Sequence, residues 1–164
     1  MDLSKFDEHT LLLAALRSEI DSKEVYQQIA GRVKNALLKD KLNFLASEEE
    51  KHQRIIEGVY KEKFVNKELQ IPEKSPVPLP EIAITGEMMP ISEVFSMAMN
   101  TEMAAYDFYN ELAKLYEDNP RLKKTIEYVA TMEMGHYKLL EIEKNNMEQF
   151  EDFDLYSPMV HAGP

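Results

Sequence analysis

The sequence predicts an all-α protein, an antiparallel four-helix bundle with one long connection between its second and third helices. Four segments carry apolar residues at alternating intervals of three and four, which is the spacing of one buried helix face. These segments form two similar pairs, in residues 5–66 and 92–148. The residues between the pairs, 67–91, contain five of the 8 prolines of the chain, and proline interrupts helices.

The length of 164 residues suits a single domain that spans residues 1–164 and ends in a tail, residues 149–164. A hydrophobic content of 44% with 30% charged residues is typical of a globular protein. The net charge of −11 argues against a nucleic-acid partner, and no apolar run is long enough to span a membrane. The absence of cysteine excludes disulfides and thiolate metal sites. The charged amino terminus lacks an apolar signal core, so we expect a cytoplasmic protein.

The first helix pair consists of helices A and B. Helix A is predicted to begin within residues 4–10 and to end near Lys34, with the Asp7 carboxylate at the positive end of its dipole. Residues 35–36 form a short connection, and short connections make antiparallel neighbours. Helix B is predicted over residues 37–64, with an outer face rich in lysine and glutamate that suits solvent.

The proline-rich residues 67–91 are predicted to form a crossover that returns the chain along the bundle. A flexible interdomain linker is the alternative interpretation. Helix C is predicted over residues 92–117, with Ser92 as its N-cap. Helix D is predicted over residues 120–146, because proline at its first position suits a helix start.

Two Glu-x-x-His motifs occupy the apolar stripes of helices B and D, namely Glu49-x-x-His52 and Glu133-x-x-His136. Residues three apart lie on the same helix face, so each motif presents a carboxylate and an imidazole to one point. A carboxylate in a core position is costly unless something pairs with it. Two copies of the motif in the same register therefore favour a shared site over isolated surface positions.

Helices A and C each carry one glutamate in the middle of the apolar stripe and a tyrosine seven residues later. These residues are Glu19 and Tyr26 in helix A, and Glu102 and Tyr109 in helix C. The two halves align at an offset of 83 residues for the first helix and 84 for the second, which makes the chain an internal repeat of a helix pair. The repeat selects Glu49 among the consecutive glutamates 48–50, because only Glu49 matches Glu133.

Four inward-facing glutamates and two histidines suit a pair of divalent metal ions, whose charges balance those of the carboxylates. With this set the chain resembles a rubrerythrin-type member of the ferritin-like superfamily over roughly residues 5–148. The residues that carry the resemblance are Glu19, Glu49, His52, Glu102, Glu133 and His136, with Tyr26 and Tyr109 beside them. The resemblance implies bridging roles for Glu49 and Glu133, terminal roles for Glu19 and Glu102, and one ion each for His52 and His136. It also implies that the two tyrosines hydrogen-bond to ligating carboxylates, for which aromatic core filling is the alternative.

The resemblance further implies two iron ions as the cofactor and reduction of hydrogen peroxide as the activity. Carboxylate and imidazole ligands also suit manganese or zinc. A typical rubrerythrin adds a rubredoxin module with four cysteines, so the lack of cysteine here implies a separate electron donor such as a rubredoxin. Rubrerythrins also have an additional glutamate one turn after the third-helix ligand, where this chain has Ala105. Ferroxidase activity with O2, and a non-catalytic metal-binding or cargo role, are therefore kept as alternatives.

We also expect a homodimer, and the long crossover would allow a swapped dimer in which each site draws on two chains. His9 and His161 are interpreted as histidines without a metal role, and the 10 methionines as ordinary core material. Gly135, inside helix D, either allows close packing beside His136 or has no role. The tail is expected to lie over the bundle or to dock on a partner.

Overall fold

The computed structural model describes residues 3–80 and 90–156. The elements are α1 (Glu8–Arg32), α2 (Ala36–Lys63), α3 (Ile91–Ala113), a short 3-10 turn (Lys114–Tyr116) and α4 (Pro120–Tyr156). The described residues contain no strand, and the predicted all-α four-helix bundle is confirmed. None of the helices in this part of the chain is long and apolar enough to cross a membrane.

Three of the four helices begin at a side chain that accepts a hydrogen bond from a backbone N–H in the first turn. Asp7 accepts from Thr10 (2.7 Å), Asn35 from Leu38 (3.1 Å) and Asn119 from Leu122 (3.2 Å). The prediction that Ser92 caps the third helix is wrong. Pro90 occupies the cap position, and its carbonyl accepts from the N–H groups of Glu93 (3.1 Å) and Val94 (3.2 Å), so the helix begins before Ser92.

The last helix is longer than predicted, since α4 continues past Asn146 to Tyr156. Residues 147–156 contain neither glycine nor proline, and the next helix-breaking residue is Pro158. The first eight residues assigned to the tail, 149–156, thus belong to the last helix. The third helix is shorter than predicted, because α3 gives way to the 3-10 turn after Ala113.

Two apolar clusters fill the bundle, one on each side of a polar layer at mid-height. The first contains residues from all four helices, such as Leu12, Tyr60, Leu112 and Ile126. The second is also built from all four, with Ile29, Leu42, Phe95 and Leu140 among its members. In every helix the predicted metal ligands lie in sequence between the members of these two clusters. The polar layer therefore lies between two apolar regions of the core.

Residues 67–80 of the predicted crossover, which the structure describes, pack on the bundle. Leu69, Ile71 and Leu79 contact the first apolar cluster, and Val77 within that cluster is only 1% exposed. A flexible linker would not bury apolar side chains in this way. This part of the crossover is thus packed against the bundle beside the first apolar cluster.

Candidate metal centre

All six residues predicted to ligate metal meet in the polar layer. Glu19, Glu49, His52, Glu102, Glu133 and His136 are each at most 3% exposed. Each helix contributes because its apolar stripe continues through these positions, so the face that packs the core also turns the polar side chains inward. The structure therefore brings together residues that are up to 117 positions apart, from Glu19 to His136.

Glu49 and Glu133 lie at the centre, and each carboxylate reaches both imidazoles. Glu49 places Oε2 3.2 Å from Nδ1 of His52 and Oε1 3.1 Å from Nδ1 of His136. Glu133 places Oε1 2.9 Å from Nδ1 of His52 and Oε2 3.6 Å from Nδ1 of His136. One donor atom from each of these four residues lies within 4.8 Å of the others. Such a cluster can hold a metal ion.

Glu19 and Glu102 occupy outer positions, each beside a single imidazole. Oε2 of Glu19 is 3.4 Å from Nδ1 of His52, and Oε2 of Glu102 is 3.6 Å from Nδ1 of His136. The two imidazole rings stack with their centroids 5.2 Å apart and their planes 19° from parallel. The centre therefore consists of two similar half-sites, each with one outer glutamate and one histidine, joined by two shared glutamates.

The two predicted tyrosines contact the outer glutamates, and they do so across the repeat. Tyr26 of the first helix pair donates a hydrogen bond to Oε1 of Glu102 in the second pair. Tyr109 of the second pair donates to Oε1 of Glu19 in the first. Both tyrosines are almost completely buried. They hold one oxygen of each outer carboxylate and leave its second oxygen facing an imidazole.

Several polar atoms of the centre are buried without a hydrogen-bond partner among the described residues. They include the Nε2 atoms of His52 and His136. Buried polar atoms normally find partners, because an unsatisfied one costs about 1–3 kcal/mol. Oxygen and imidazole nitrogen are the donors that iron, manganese and zinc accept. The residues present therefore fit a pair of divalent metal ions.

The outer glutamates differ from the central ones in the direction in which their pKa values are shifted. Burial, followed by repulsion from Glu133, raises the pKa of Glu19 well above its usual value. Burial, followed by repulsion from Glu49 and Glu133, does the same to the pKa of Glu102. The outer carboxyl groups thus tend to retain a proton in the metal-free protein.

The imidazoles and the central carboxylates, in contrast, have pKa values that favour their charged forms. Burial alone would lower the pKa of His136, but hydrogen bonds with Glu102, Glu133 and Glu49 raise it to about 12. The pKa of His52 is raised by the same kind of contacts against the same effect of burial. Burial opposes ionisation of Glu49 and Glu133, yet the two imidazoles hold the pKa of each below its usual value. The metal-free centre therefore pairs two imidazolium groups with two ionised carboxylates.

His9, the other histidine among the described residues, lies outside this centre. Nε2 of His9 is 3.0 Å from the hydroxyl of Tyr60, at one end of the bundle. His161 lies outside the described residues. Gly135 is not needed for close packing beside His136, because a Cβ there would meet no atom within 4 Å. The interpretation that Gly135 allows close packing beside His136 is therefore wrong.

Two further buried glutamates were not predicted from the sequence. Glu48 is 6% exposed and pairs with Lys51, while Glu143 is 8% exposed and pairs with Lys41. Glu143 follows His136 by seven residues, and this heptad spacing on the core stripe could have indicated its burial. Each of these carboxylates forms an ion pair with a lysine, so neither is available to bind a metal ion as the central glutamates are.

Comparisons with known proteins agree with this geometry. The family model described as Rubrerythrin matches residues 10–144. A solved structure, a hypothetical protein from Pyrococcus furiosus, superposes with a TM-score of 0.79 at 29% sequence identity and covers 91% of this chain and 95% of its own. The bundle is thus ferritin-like. No curated protein matches the chain.

Proposed function

Because the chain belongs to the rubrerythrin family, we propose that it is a non-haem di-iron oxidoreductase that reduces hydrogen peroxide with electrons from a separate donor protein. One observation carries the proposal: Glu49 and Glu133 each extend from one imidazole to the other, within a cluster able to hold metal. Carboxylates placed between two nitrogen donors suit a pair of ions better than a single one.

In this proposal Glu49 and Glu133 would be shared by the two ions, His52 and Glu19 would complete one site, and His136 and Glu102 would complete the other. Two adjacent iron ions, when bound, supply the two electrons that convert one H2O2 and two protons into two water molecules. Manganese or zinc would accept the same ligands, but zinc has no redox chemistry. Iron therefore matches both the donor set and the activity.

The other residues around the centre position its ligands and exclude water. Tyr26 and Tyr109 fix the outer carboxylates by hydrogen bonds, and such contacts to ligands typically change metal affinity about 10–100-fold. The apolar clusters above and below the polar layer keep bulk solvent away and strengthen the electrostatic interactions within it. These residues support a reaction that is confined to small oxidants.

Electrons must reach the centre from outside the chain in this proposal. The sequence has no cysteine and so cannot hold a rubredoxin iron of its own. A small redox protein such as a rubredoxin is the partner that we infer. Without it, the reduced protein is expected to react once with peroxide and then stop.

Ferroxidase activity is the second candidate, and Ala105 favours it. Ala105 follows Glu102 by one helical turn and packs against the first apolar cluster, where rubrerythrins carry an additional glutamate. An alanine cannot provide a spare carboxylate for rearrangement of the ligands. A six-ligand centre of this kind also suits oxidation of Fe(II) by O2.

Stopped-flow mixing of the anaerobic Fe(II)-loaded protein with H2O2 or O2 tests the two candidates. Oxidation many-fold faster with H2O2 supports the peroxidase, whereas equal or faster oxidation by O2 with repeated turnover of added Fe(II) favours the ferroxidase. Oxidation by neither reagent within minutes would leave only the non-catalytic role. The variant Ala105→Glu is the matched control, because a restored carboxylate should raise the preference for H2O2.

A further inference from the structure

Ser22 is a buried residue of α1 that lies between two side chains of the metal centre. It follows Glu19 by three residues and precedes Tyr26 by four, and it is 9% exposed. Residues at these spacings share one face of a helix. The Ser22 side chain therefore lies on the face of α1 that carries one outer glutamate and the tyrosine that contacts the other.

The hydroxyl of Ser22 has no partner within the part of the chain that the structure describes. Ten polar or charged side chains are buried there, and the other nine each form a hydrogen bond or an ion pair. Thr101, which also has a buried hydroxyl, donates to the carbonyl of Met97 at 3.2 Å. A buried hydroxyl normally has a partner, because burial without one costs free energy. The unpaired hydroxyl of Ser22 therefore indicates a partner from outside the chain.

The internal repeat provides a comparison for Ser22. At the offset of 83 residues it corresponds to Ala105, which lies between Glu102 and Tyr109 of α3 in the same way. Alanine is favoured over serine inside a helix, and Ala105 packs against the first apolar cluster. Helix propensity and packing alone would thus favour alanine at residue 22 as well. The Ser22 hydroxyl is therefore a chemical difference between two otherwise similar halves of the centre.

Ser22 and Ala105 lie on the side of the centre opposite the shared glutamates. α1 packs against α2, α3 against α4, and α2 against α4, so α1 and α3 form the side opposite Glu49 and Glu133. The metal ligands are at most 3% exposed, whereas Ser22 is 9% exposed and Ala105 is half-buried. Small side chains with some exposure permit a molecule of a few atoms to approach the centre from this side.

We propose that Ser22 binds the oxidant, through a hydrogen bond between its hydroxyl and hydrogen peroxide at the centre, and that this contact favours H2O2 over O2. The inference rests on the proposed function, because it names a residue that recognises the substrate of that reaction. A serine hydroxyl both donates and accepts hydrogen bonds, as H2O2 does, whereas O2 has no proton to donate. A site that hydrogen-bonds a substrate hydroxyl discriminates against molecules that lack one. Ser22 thus provides a polar contact on the side where Ala105 provides none.

Binding of azide to the oxidised, iron-loaded protein tests this contact without turnover. Azide is a small anion that binds ferric iron and accepts hydrogen bonds, and its absorption band with iron reports its affinity. Ser22→Ala is expected to weaken azide binding about tenfold, the usual effect of removing one hydrogen bond to a charged group. Ser96→Ala is the matched control and should bind azide as the unaltered protein does. The hydroxyl of Ser96 donates to the carbonyl of Ser92 at 2.9 Å, so its partner lies within α3.

Moving the hydroxyl to the equivalent position in the other half gives a sharper test. The double variant Ser22→Ala, Ala105→Ser is expected to regain most of the azide affinity that Ser22→Ala loses. The reason is that the reciprocal hydrogen bonds of Tyr26 and Tyr109 give the two halves similar surroundings. Circular dichroism and iron stoichiometry of each variant verify that the helices and both ions are retained.

Stopped-flow mixing of the Fe(II)-loaded variants with each oxidant provides a second measurement. Ser22→Ala should slow the reaction with H2O2 about tenfold and leave the reaction with O2 unchanged. An unaltered protein that reacts with neither oxidant would contradict the proposed function, while azide binding would still report on Ser22. Equal azide affinity in Ser22→Ala and the unaltered protein would overturn the inference. So would an unaltered protein that binds no azide, or an equal fall in both oxidation rates.

Discussion

Tyr26 donates a hydrogen bond to Glu102, although the two residues belong to different halves of the repeat. Tyr109 and Glu19 form the reciprocal contact. Each outer carboxylate is thus held by a tyrosine of the other helix pair, and both pairs must be in place for either half-site to be complete. The metal centre and the assembly of the bundle are therefore coupled.

Replacing these tyrosines with phenylalanine should weaken metal binding. Tyr26→Phe leaves an oxygen of Glu102 without its donor, and we expect an affinity loss of about 10–100-fold for the ion held by Glu102 and His136. Tyr109→Phe should affect the other ion to a similar degree. Calorimetric titration with Fe(II) under anaerobic conditions measures both.

Tyr116→Phe is the control for this pair of variants. Tyr116 is also buried, but it lies at the end of the bundle with the ammonium group of Lys63 5.4 Å from its ring centroid. Its variant should bind both ions as the unaltered protein does. If Tyr116→Phe weakened binding as much as Tyr26→Phe, the effect would reflect general loosening of the core and not the contact with Glu102.

Metal binding should release protons. In the metal-free centre the raised pKa values of His52 and His136 keep both imidazoles protonated, and those of Glu19 and Glu102 favour retained protons. Ligands must lose these protons to bind metal, so affinity should rise with pH. Titration at pH 7 in buffers of different ionisation enthalpy should show release of two to four protons per chain. Release of fewer than two would contradict the assigned protonation.

The metal-free protein should lose stability as the solution becomes alkaline. The pKa of His136 is about 12 when folded against an ordinary value of 6.5, so between these values the folded state binds more protons than the unfolded state. This contribution is complete below pH 6.5 and is lost as pH rises toward 12. Thermal unfolding in the presence of chelator should give a lower Tm at pH 9 than at pH 6. The variant His52→Gln, His136→Gln should have a flatter profile.

Asn35 should stabilise the start of α2. Its side chain accepts a hydrogen bond from the backbone N–H of Leu38 at 3.1 Å. Asn35→Ala is expected to lower the free energy of unfolding by about 1 kcal/mol, as measured by urea denaturation. Asn43→Ala, at an exposed position within the same helix, is the control and should not destabilise the protein.

The positions of the six centre residues could be predicted because the chain repeats itself. A single Glu-x-x-His is ambiguous, but the match of Glu49 to Glu133 removes the neighbouring glutamates from consideration. Helix periodicity then places the residues on the core face without knowledge of the tertiary arrangement. The number of helices and the crossover follow from the same periodicity and from the prolines.

Features that depend on how the helix pairs meet in space could not be predicted in this way. The hydrogen bond from Tyr26 to Glu102 depends on the relative position of the two helix pairs, whereas helix periodicity describes each helix alone. The burial of Glu48, which pairs with Lys51, likewise depends on how α2 packs in the bundle. The start of α3 at Ile91 depended on the carbonyl of Pro90, which outweighed the capping preference of Ser92.

Metal stoichiometry tests the central claim, a two-ion centre bridged by Glu49 and Glu133, most directly. An anaerobic Fe(II) titration should reach two ions per chain in the unaltered protein, and Glu49→Ala, Glu133→Ala should bind neither ion tightly. Glu50→Ala is the matched control, because Glu50 contacts Arg54 and Lys23 outside the centre and its variant should still bind two. Full occupancy in the Glu49→Ala, Glu133→Ala variant, or a single ion in the unaltered protein, would contradict the claim.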